Sequence, residues 1–436
     1  MPSQTSGLQS RQLAAYVLKA VLRNGRTFDE TFAESGAKAA FSVLAFRDRA
    51  FARAIAATAL RRLGQIETML GRFIEKPLAD DAFEARFILI AATAQLAFME
   101  VAPHAAIGLA VEQTKAIRGA RHMTGLVNAV LRRIDENKAA ILRDQDAAAL
   151  NTPAWLRRRW EAHYGDETAS RIAAAHLEEP PLDLSVKSGD AEAWATKLGG
   201  ALLPWGTVRF QAKGRIEDIE GYDAGAWWVQ DAAAALPALL LGDVHGLRVA
   251  DLCAAPGGKT AQLAARGAHV TAVDISAARL RRLSENLARL SLDAELVQAN
   301  VAEWMPAERF DAILLDAPCT ATGTIRRNPD IPYLKSDADI AALSAVQSRL
   351  LSHALGLLKP GGRLVYATCS LEPEEGEDQI RAVLAARSDI VLSPVQHGEL
   401  EAPAEAITPE GMLRTLPFLM GGMDGFFAAR LTSQPR

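Results

Sequence analysis

At positions 249–260 the chain reads VADLCAAPGGKT, an apolar run that ends in an acid and passes directly into a glycine-rich turn. Apolar residues without alternation are typical of a strand that is buried on both faces of a parallel sheet. The turn at Gly257 and Gly258 allows a ligand to approach the backbone closely, because glycine has no side chain. The stretch therefore predicts an α/β domain with a ligand site where its first strand ends.

The residues that follow repeat this order of strand and helix. Strands are predicted at Leu247–Cys253, Val270–Ile275, Ala294–Ala299, Ala312–Ala317 and Arg363–Thr368, and helices at Gly258–Arg266 and Ala277–Leu290. Strands that alternate with helices in this way predict a parallel sheet covered by helices on both faces.

Two further regions precede the α/β domain, which we assign to residues 226–436. Residues 1–140 show apolar positions at three- and four-residue spacing, as in Arg49–Leu63, and their pattern predicts an all-helical domain. Residues 141–225 combine a helix at Ala154–Tyr164 with short strand-like pieces. We interpret this middle region as a small α+β linker domain.

Charge and composition limit the classes of function. The net charge is −4, but residues 1–140 hold 19 Lys/Arg and 13 Asp/Glu, whereas the remainder holds 29 and 39. A basic first region suits contact with RNA, and it also suits an ordinary solvated helical surface. The longest apolar stretch, Phe87–Met99, is too short to span a membrane. With three cysteines and no export signal, we expect a cytoplasmic protein without a membrane partner.

The glycine-rich turn also resembles part of a phosphate-binding loop, because Gly257-Gly258-Lys259-Thr260 follows a strand and opens a helix. A P-loop requires its first glycine at the position of Cys253. Pro256 also removes a backbone N–H that would otherwise contact a phosphate. These two residues disfavour an ATPase or GTPase.

Two acids favour a nucleoside cofactor instead. Asp251 ends the first strand, and Asp274 ends the second about 20 residues later, where an acid commonly binds ribose hydroxyls. Either acid alone could be a solvated strand end. The absence of G-x-G-x-x-G disfavours NAD, so S-adenosylmethionine is the leading candidate.

The three cysteines each lie at or just beyond the end of a predicted parallel strand. A single cysteine is usually a buried packing residue, as Cys253 can be, but Cys319 and Cys369 follow two separate strands. A thiolate that adds to C6 of cytosine makes C5 reactive toward a methylsulfonium carbon, and an acid near N3 assists that addition. Asp316 is placed for this role, and on chemistry alone either sulfur could attack. No histidine cluster or C-x-x-C pair predicts a metal.

Taken together, these motifs resemble the RNA cytosine-5 methyltransferases of the Sun/Fmu (RsmB) type. The matching stretches are Trp228-Val229-Gln230-Asp231, Asp251-Leu252-Cys253-Ala254-Ala255-Pro256-Gly257-Gly258-Lys259-Thr260, Asp316-Ala317-Pro318-Cys319 with Gly323 and Ile325-Arg326-Arg327-Asn328-Pro329-Asp330, Tyr366-Ala367-Thr368-Cys369-Ser370 with Glu374-Glu375-Gly376-Glu377, and Asp424-Gly425-Phe426-Phe427. The first region is similar to the NusB-like RNA-binding domain that is fused to this family, in Arg47-Asp48-Arg49, Pro103-His104-Ala105-Ala106 and Val127-Asn128-Ala129-Val130-Leu131-Arg132-Arg133.

The resemblance implies a NusB-like helical domain, a small linker domain and a Rossmann-like, seven-stranded methyltransferase domain whose last strand, around Gly425–Leu431, runs antiparallel. It implies that Cys369 is the nucleophile, that Cys319 helps to release the product, and that Lys259 lies near Asp316 and the cofactor. The S-adenosylmethionine site would consist of Cys253, Ala254, Ala255, Pro256, Gly257, Gly258, Lys259, Asp274, Asn300 and Asp316.

The fusion to a NusB-like domain points to 16S, small-subunit rRNA as the RNA partner of a monomeric enzyme. The alternatives are a tRNA or DNA cytosine-5 methyltransferase and a non-catalytic RNA-binding or ribosome assembly factor. Arg326 and Arg327 could bind an RNA phosphate, or they could be exposed arginines without a function.

The sequence departs from the family pattern at two places. The family usually has Asp where this chain has Asn300; its carbonyl can still accept from an adenine amino group, so we expect weaker binding. The usual Arg-Val-Asn is replaced by Ser185-Val186-Lys187.

Overall fold

The computed structural model describes residues 4–38, 40–75, 83–212, 214–396 and 398–434. In chain order the helices are α1 (Gln4–Leu22), α2 (Phe28–Ser35), α3 (Phe46–Arg61), α4 (Leu63–Gly71), α5 (Phe83–Phe98), α6 (Pro103–Ala116), α7 (Thr124–Arg143), α8 (Ala147–Asn151), α9 (Ala154–Tyr164), α10 (Asp166–Ala175), α11 (Ala191–Leu198), α12 (Ala232–Leu240), α13 (Gly258–Ala265), α14 (Ala277–Leu290), α15 (Ile331–Leu334), α16 (Asp337–Gly356) and α17 (Glu377–Ala386). The strands are β1 (Leu182–Val186), β2 (Ala201–Leu202), β3 (Thr207–Phe210), β4 (Trp227–Val229), β5 (Arg248–Leu252), β6 (His269–Asp274), β7 (Glu295–Gln298), β8 (Phe310–Asp316), β9 (Leu358–Thr368), β10 (Ile390–Leu392), β11 (Leu413–Thr415) and β12 (Phe426–Ser433).

The chain divides into two compact units, a helical unit and a sheet unit. The helical unit comprises residues 1–178 and 325–336, and the sheet unit comprises residues 179–324 and 337–436. The domain boundaries expected at residues 140 and 225 fall inside these units. Among the described helices, none is long and apolar enough to cross a membrane.

The helices α1–α7 of the helical unit share an apolar core, and their all-helical character was predicted correctly. Leu18 of α1, Ile55 of α3 and Leu89 of α5 are fully buried at its centre. The helix α7 adds buried side chains at Val127 and Val130, on the face that its three- and four-residue apolar spacing predicts. On α7 the side chains of Arg132 and Arg133 are exposed, whereas Arg11 of α1 is only 6% exposed.

Residues 325–336 belong to the helical unit although they lie far along the sequence. The Oδ2 atom of Asp330 accepts a hydrogen bond from the backbone N–H of Phe28 at 2.8 Å. The hydroxyl of Tyr333 donates to the carbonyl oxygen of Leu60 at 2.9 Å. These contacts join the segment to the start of α2 and the end of α3, so part of the cysteine-motif region folds with the helices.

The burial of Arg326 corrects one expectation from the sequence. Its side chain is only 2% exposed, and its carbonyl oxygen accepts a hydrogen bond from Nη2 of Arg61 at 2.9 Å. A guanidinium held inside the protein is not open to an RNA phosphate. Of the two arginines, only Arg327 is partly exposed.

The first part of the sheet unit is a small antiparallel sheet with the order β2-β3-β1-β4. The strand β4 is the apolar run Trp227–Val229, which pairs with β1 and so extends this sheet beyond the expected boundary at residue 225. The Arg209 guanidinium donates two hydrogen bonds of 2.7 Å to the buried Asp183 carboxylate. This pair fixes β3 against β1.

The large sheet has the order β10-β12-β9-β8-β5-β6-β7. These seven strands confirm the predicted Rossmann-like architecture, and the short strand β11 adds an eighth by pairing with β12. The strand β12 runs antiparallel to β9, with Phe427 opposite Thr368, as expected for the last strand. Because β5 to β9 are mutually parallel along the sheet, their carboxyl ends share one edge.

Gly64 offers a test of how closely α4 and α8 pack. A Cβ atom at this position would lie 1.7 Å from the carbonyl oxygen of Leu150. We expect Gly64→Ala to lower the free energy of unfolding by about 1–3 kcal/mol, because the helices must separate. Gly108→Ala, in open space on α6, should instead raise it by up to about 1 kcal/mol through helix propensity. Urea unfolding that gives the two variants equal stability would contradict this packing.

Candidate functional site

The expected site residues lie along the carboxyl edge of the large sheet. Asp274 is the last residue of β6 and Asp316 the last of β8. Cys253 follows β5 directly, and Cys369 follows β9. The parallel register sets Asp316 opposite Ala367, which brings the loops after β8 and β9 side by side.

The two cysteines of these loops are in contact. The Sγ atoms of Cys319 and Cys369 lie 3.4 Å apart. The backbone N–H of Gly323 donates to the carbonyl oxygen of Cys369 at 3.0 Å, and that of Gly425 donates to the carbonyl oxygen of Gly323 at 2.8 Å. These bonds hold the first cysteine loop against the second and against the chain that leads into β12.

Lys259 pairs with Asp316 beside the two thiols. Its Nζ atom donates to Oδ2 of Asp316 at 2.7 Å and lies 4.9 Å from the centre of the Phe426 ring. Burial opposes the charge of Lys259, but the Asp316 carboxylate outweighs it, and with help from Asp251 and Cys369 the pKa of Lys259 is raised. An ammonium ion is therefore present among these groups at neutral pH. The Asp316 side chain remains 31% exposed, so a ligand can reach it.

The two sulfur atoms have different electrostatic surroundings. The hydrogen bond with Cys369, burial, and the negative charges of Cys369 and Glu375 raise the pKa of the Cys319 thiol well above its usual value. Cys369, by contrast, interacts with the Lys259 ammonium ion. An ammonium ion stabilises a thiolate and a carboxylate destabilises one. These charges therefore favour the protonated form of Cys319, whereas Cys369 is the thiol that interacts with a positive charge.

The Asp274 carboxylate is fixed at the end of β6. Its Oδ2 atom accepts from the N–H of Ala255 at 3.2 Å, and its Oδ1 atom accepts from the N–H of Ser276 at 2.9 Å. Arg279 adds an ion pair with Oδ2 at 3.0 Å. The following side chain, Ile275, is 66% exposed, which offers an apolar surface beside the acid. A fixed carboxylate next to an exposed apolar side chain fits the ribose and base of a nucleoside.

The turn after β5 has the geometry that its sequence predicts. Gly257 adopts a φ of +100°, and a Cβ atom there would lie 2.5 Å from Cγ of Leu283. Asp251 is fully buried and accepts from Thr260 Oγ1 at 2.6 Å, while its Oδ1 atom has no partner among the described residues. Burial raises the pKa of Asp251 to about 7. The buried Asp251 carboxyl therefore stabilises the turn through its hydrogen bond with Thr260.

The thiol of Cys253 has other electrostatic surroundings than those of Cys319 and Cys369. Burial, with the carboxylates of Asp316, Asp274 and Asp251, raises its pKa to about 12. A thiol that stays protonated at neutral pH is a poor nucleophile, so this residue suits a packing role in the turn.

Asn300 lies at the carboxyl end of β7, two residues after its last strand residue. Its Oδ1 atom accepts from the N–H of Ala302 at 3.2 Å, and the side chain is exposed. A carbonyl oxygen has a second lone pair, so the expected contact with an adenine amino group stays a prediction.

The residues that replace the usual Arg-Val-Asn have partners inside the sheet unit. The Ser185 hydroxyl donates to Oε1 of Gln230 at 2.7 Å, and Nζ of Lys187 donates to the carbonyl oxygen of Leu290 at 2.8 Å. Gln230 also accepts from the Trp228 indole at 2.8 Å. The substituted residues therefore support the small sheet and its join to α14.

Sequence reasoning gave no role to Glu375, which is fully buried between the two cysteine loops. It lies in the Glu374-Glu375-Gly376-Glu377 motif, and no feature of the sequence distinguishes it from the acids around it, of which Glu372 and Glu377 are also buried. Gln347 of α16, which contacts it, has no motif around it at all.

Comparison with known proteins finds family models and relatives that match this chain. The chain matches the family model described as 16S rRNA methyltransferase RsmB/F over residues 238–432 and that of the NusB family over residues 8–136. It is 34% identical over 451 residues to the ribosomal RNA small subunit methyltransferase B of Erwinia tasmaniensis, covering 97% of this chain and 98% of that protein. The Klebsiella pneumoniae protein of the same name is 35% identical over 437 residues, covering 97% of each.

Two solved structures share the fold. A methyltransferase homolog protein from Pyrococcus horikoshii is 31% identical, with a TM-score of 0.55 over 63% of this chain and 93% of that one. The crystal structure of PH0851 covers 99% of both chains with a TM-score of 0.77 at 22% identity, which supports the fold alone.

The cofactor contact of Asp274 can be tested by calorimetry. We expect Asp274→Ala to weaken S-adenosylmethionine binding by roughly 1.5–3 kcal/mol, the range for hydrogen bonds to a charged group. The control is Asp293→Ala, because Asp293 is exposed and precedes β7 at the opposite edge of the sheet. Unchanged affinity in Asp274→Ala, or an equal loss in both variants, would remove Asp274 from the cofactor site.

Proposed function

The chain belongs to the 16S rRNA methyltransferase RsmB/F family, and from this premise we propose that it methylates carbon 5 of a cytosine in small-subunit rRNA. Its cofactor is S-adenosylmethionine, which supplies an electrophilic methyl group. The observation that supports the base and the atom is the contact of Cys319 with Cys369 at 3.4 Å, beside the pair of Lys259 and Asp316.

In the proposed reaction the Cys369 thiolate adds to C6 of the cytosine and forms an S–C bond. Asp316 contacts N3, and the proton that N3 takes up as the ring loses its aromatic character comes from the Lys259 ammonium ion through the Asp316 carboxylate. Electron density then resides at C5, which takes the methyl group that S-adenosylmethionine would supply, and S-adenosylhomocysteine would be the leaving group. Once the Cys369 sulfur is bonded to C6, its charge no longer raises the pKa of Cys319, and Cys319 gives its proton to water. The Cys319 thiolate then removes the C5 proton, the C6–S bond breaks with its electron pair returning to the Cys369 sulfur, and N3 returns its proton to the Lys259–Asp316 pair.

The assignment of the two sulfurs follows from their charges. Attack requires a thiolate, and Cys369 interacts electrostatically with the Lys259 ammonium ion, which stabilises a negative charge. Release requires a group that accepts a proton late in the reaction, and Cys319 lies within contact of the nucleophile while its own thiol is favoured at the start. The family resemblance of the Thr368-Cys369-Ser370 motif points the same way.

The named relatives support small-subunit rRNA as the proposed substrate. Those that the chain matches over nearly their whole length are named for the small-subunit RNA, and the NusB match covers the basic first region. A cytosine must leave its stack to reach a thiolate at the edge of a sheet, so we propose a single-stranded loop as the target. A non-catalytic assembly role is disfavoured because Cys369, Cys319 and Asp316 are all present. A DNA substrate is disfavoured because the sequence shows no separate target-recognition segment between the two cysteine motifs.

The activity is tested with 16S rRNA from a strain that lacks the gene. We expect labelled methyl groups to enter this RNA, and bisulfite sequencing to find one cytosine that is protected only when the enzyme is supplied. Matched tRNA and DNA substrates are the controls. Label on the RNA without a protected cytosine would contradict the cytosine-5 assignment.

The two cysteine variants should fail in different ways. Cys369→Ala should abolish methyl transfer and form no protein–RNA bond, because attachment requires the attacking sulfur. Cys319→Ala should attach and methylate the base but release it slowly. We therefore expect an adduct that survives denaturing electrophoresis in Cys319→Ala and not in Cys369→Ala.

The double variant should behave like Cys369→Ala, since release matters only after attachment. Both single variants should bind S-adenosylmethionine about as well as the wild-type protein. An adduct in Cys369→Ala but not in Cys319→Ala would reverse the two assignments.

A further inference from the structure

A fully buried carboxylate lies between the two cysteine loops. The Oε1 atom of Glu375 accepts from the backbone N–H of Thr320 at 3.0 Å, and its Oε2 atom accepts from the hydroxyl of Ser370 at 2.5 Å. The Thr320 hydroxyl also donates to Oε2. Thr320 follows Cys319 directly, and Ser370 follows Cys369. One side chain therefore binds the residue next to each thiol.

The carboxylate is itself held in place from two directions. Gln347 of α16 donates from Nε2 to Oε1 of Glu375 at 3.0 Å and to the carbonyl oxygen of Pro318 at 2.9 Å. The hydroxyls of Tyr366 and Thr368, on β9, donate to the backbone carbonyl oxygen of Glu375 at 2.9 and 3.2 Å. The position of Glu375 is thus set by the sheet and by a helix that also contacts the Cys319 loop at Pro318.

The set of donors explains why an acid stands here. Four donors point at the side chain: the N–H and hydroxyl of Thr320, the hydroxyl of Ser370 and the amide of Gln347. A carboxylate accepts at both oxygens, whereas glutamine has one accepting oxygen and presents an NH₂ group on the other side. Burying a charge is costly unless it is fully hydrogen-bonded, so this network has to be complete.

We propose that Glu375 is a positioning residue of the methyl-transfer site, whose carboxylate holds the Cys319 and Cys369 loops together so that their sulfur atoms stay in contact. Its role in catalysis rests on the proposed function. Its effect on the two thiols is a property of the free protein and can be measured without RNA.

The same carboxylate also separates the roles of the two sulfurs. Its negative charge is one of the causes that raise the pKa of the Cys319 thiol. A side chain that merely filled the space would not do this. Glu375 therefore sets the distance between the thiols and also favours the protonated form of Cys319.

The distance between the thiols can be measured with phenylarsine oxide, whose arsenic atom binds two thiols that lie together far more tightly than it binds one. We expect the wild-type protein to bind one equivalent, and Cys319→Ala to lose this tight binding. Glu375→Ala should weaken it by about tenfold or more, the equilibrium effect of losing a hydrogen bond to a charged group. S-adenosylmethionine affinity should stay within about twofold.

Two milder variants keep the test informative if Glu375→Ala folds poorly. Glu375→Gln retains one accepting oxygen and should give an intermediate arsenical affinity, and Ser370→Ala removes one donor and should give a smaller loss. The matched control is Asp378→Asn, because Asp378 is exposed and forms a surface ion pair with Arg381, so its loss should leave arsenical affinity unchanged. In the presence of RNA, Glu375→Gln should accumulate the covalent adduct more than the control does, since release depends on Cys319.

Arsenical affinity that is unchanged in both Glu375 variants would overturn the proposal. An equal fall in arsenical and S-adenosylmethionine affinity in Glu375→Gln would also overturn it, because that result describes a residue needed only for folding. If the arsenical series follows expectation but the wild-type protein neither methylates RNA nor forms an adduct, the positioning role stands and the proposed function fails.

Discussion

A Cβ atom added to Gly323 would lie 1.9 Å from the carbonyl oxygen of Gly425, and one added to Gly425 would lie 2.5 Å from Cδ2 of Leu371. The backbones can meet only because neither residue has a side chain. This contact joins the loop after β8 to the chain that enters β12, and the N–H of Gly323 extends it to the carbonyl oxygen of Cys369. The alignment of the two thiols depends on this crossing, because its backbone hydrogen bonds hold the two cysteine loops together.

The backbone brings the sulfur atoms together, and charge makes them unequal. Lys259 and Glu375 have opposite charges and act on different thiols, so two chemically identical groups can take different roles in one reaction. Distance alone would leave the roles interchangeable. The same asymmetry could not be inferred from the sequence, where each cysteine simply follows a strand.

The local sequence pattern predicted the helices and strands, but it did not predict which distant segments would contact one another. The helix at Ala277–Leu290 has the bounds that its periodicity predicts, and the antiparallel last strand was also expected. The membership of residues 325–336 in the helical unit was not, because it depends on hydrogen bonds between residues about 270–300 positions apart, such as that of Asp330 with Phe28. The role of Glu375 was missed for the same reason, since its four donors come from three separate segments.

The turn at Gly257-Gly258-Lys259-Thr260 shows that a short sequence motif does not by itself identify the ligand. In a P-loop the lysine is directed at phosphates, but here its ammonium ion is bound by the Asp316 carboxylate at 2.7 Å. A phosphate would have to displace that carboxylate and would then be repelled by it and by any charge on the nearby Asp251. A neutral base meets no such repulsion, and it can take a proton from the pair at its N3 atom. The carboxylate at the end of β8 thus disfavours a phosphate at this turn, and it is compatible with the pyrimidine of the proposed reaction.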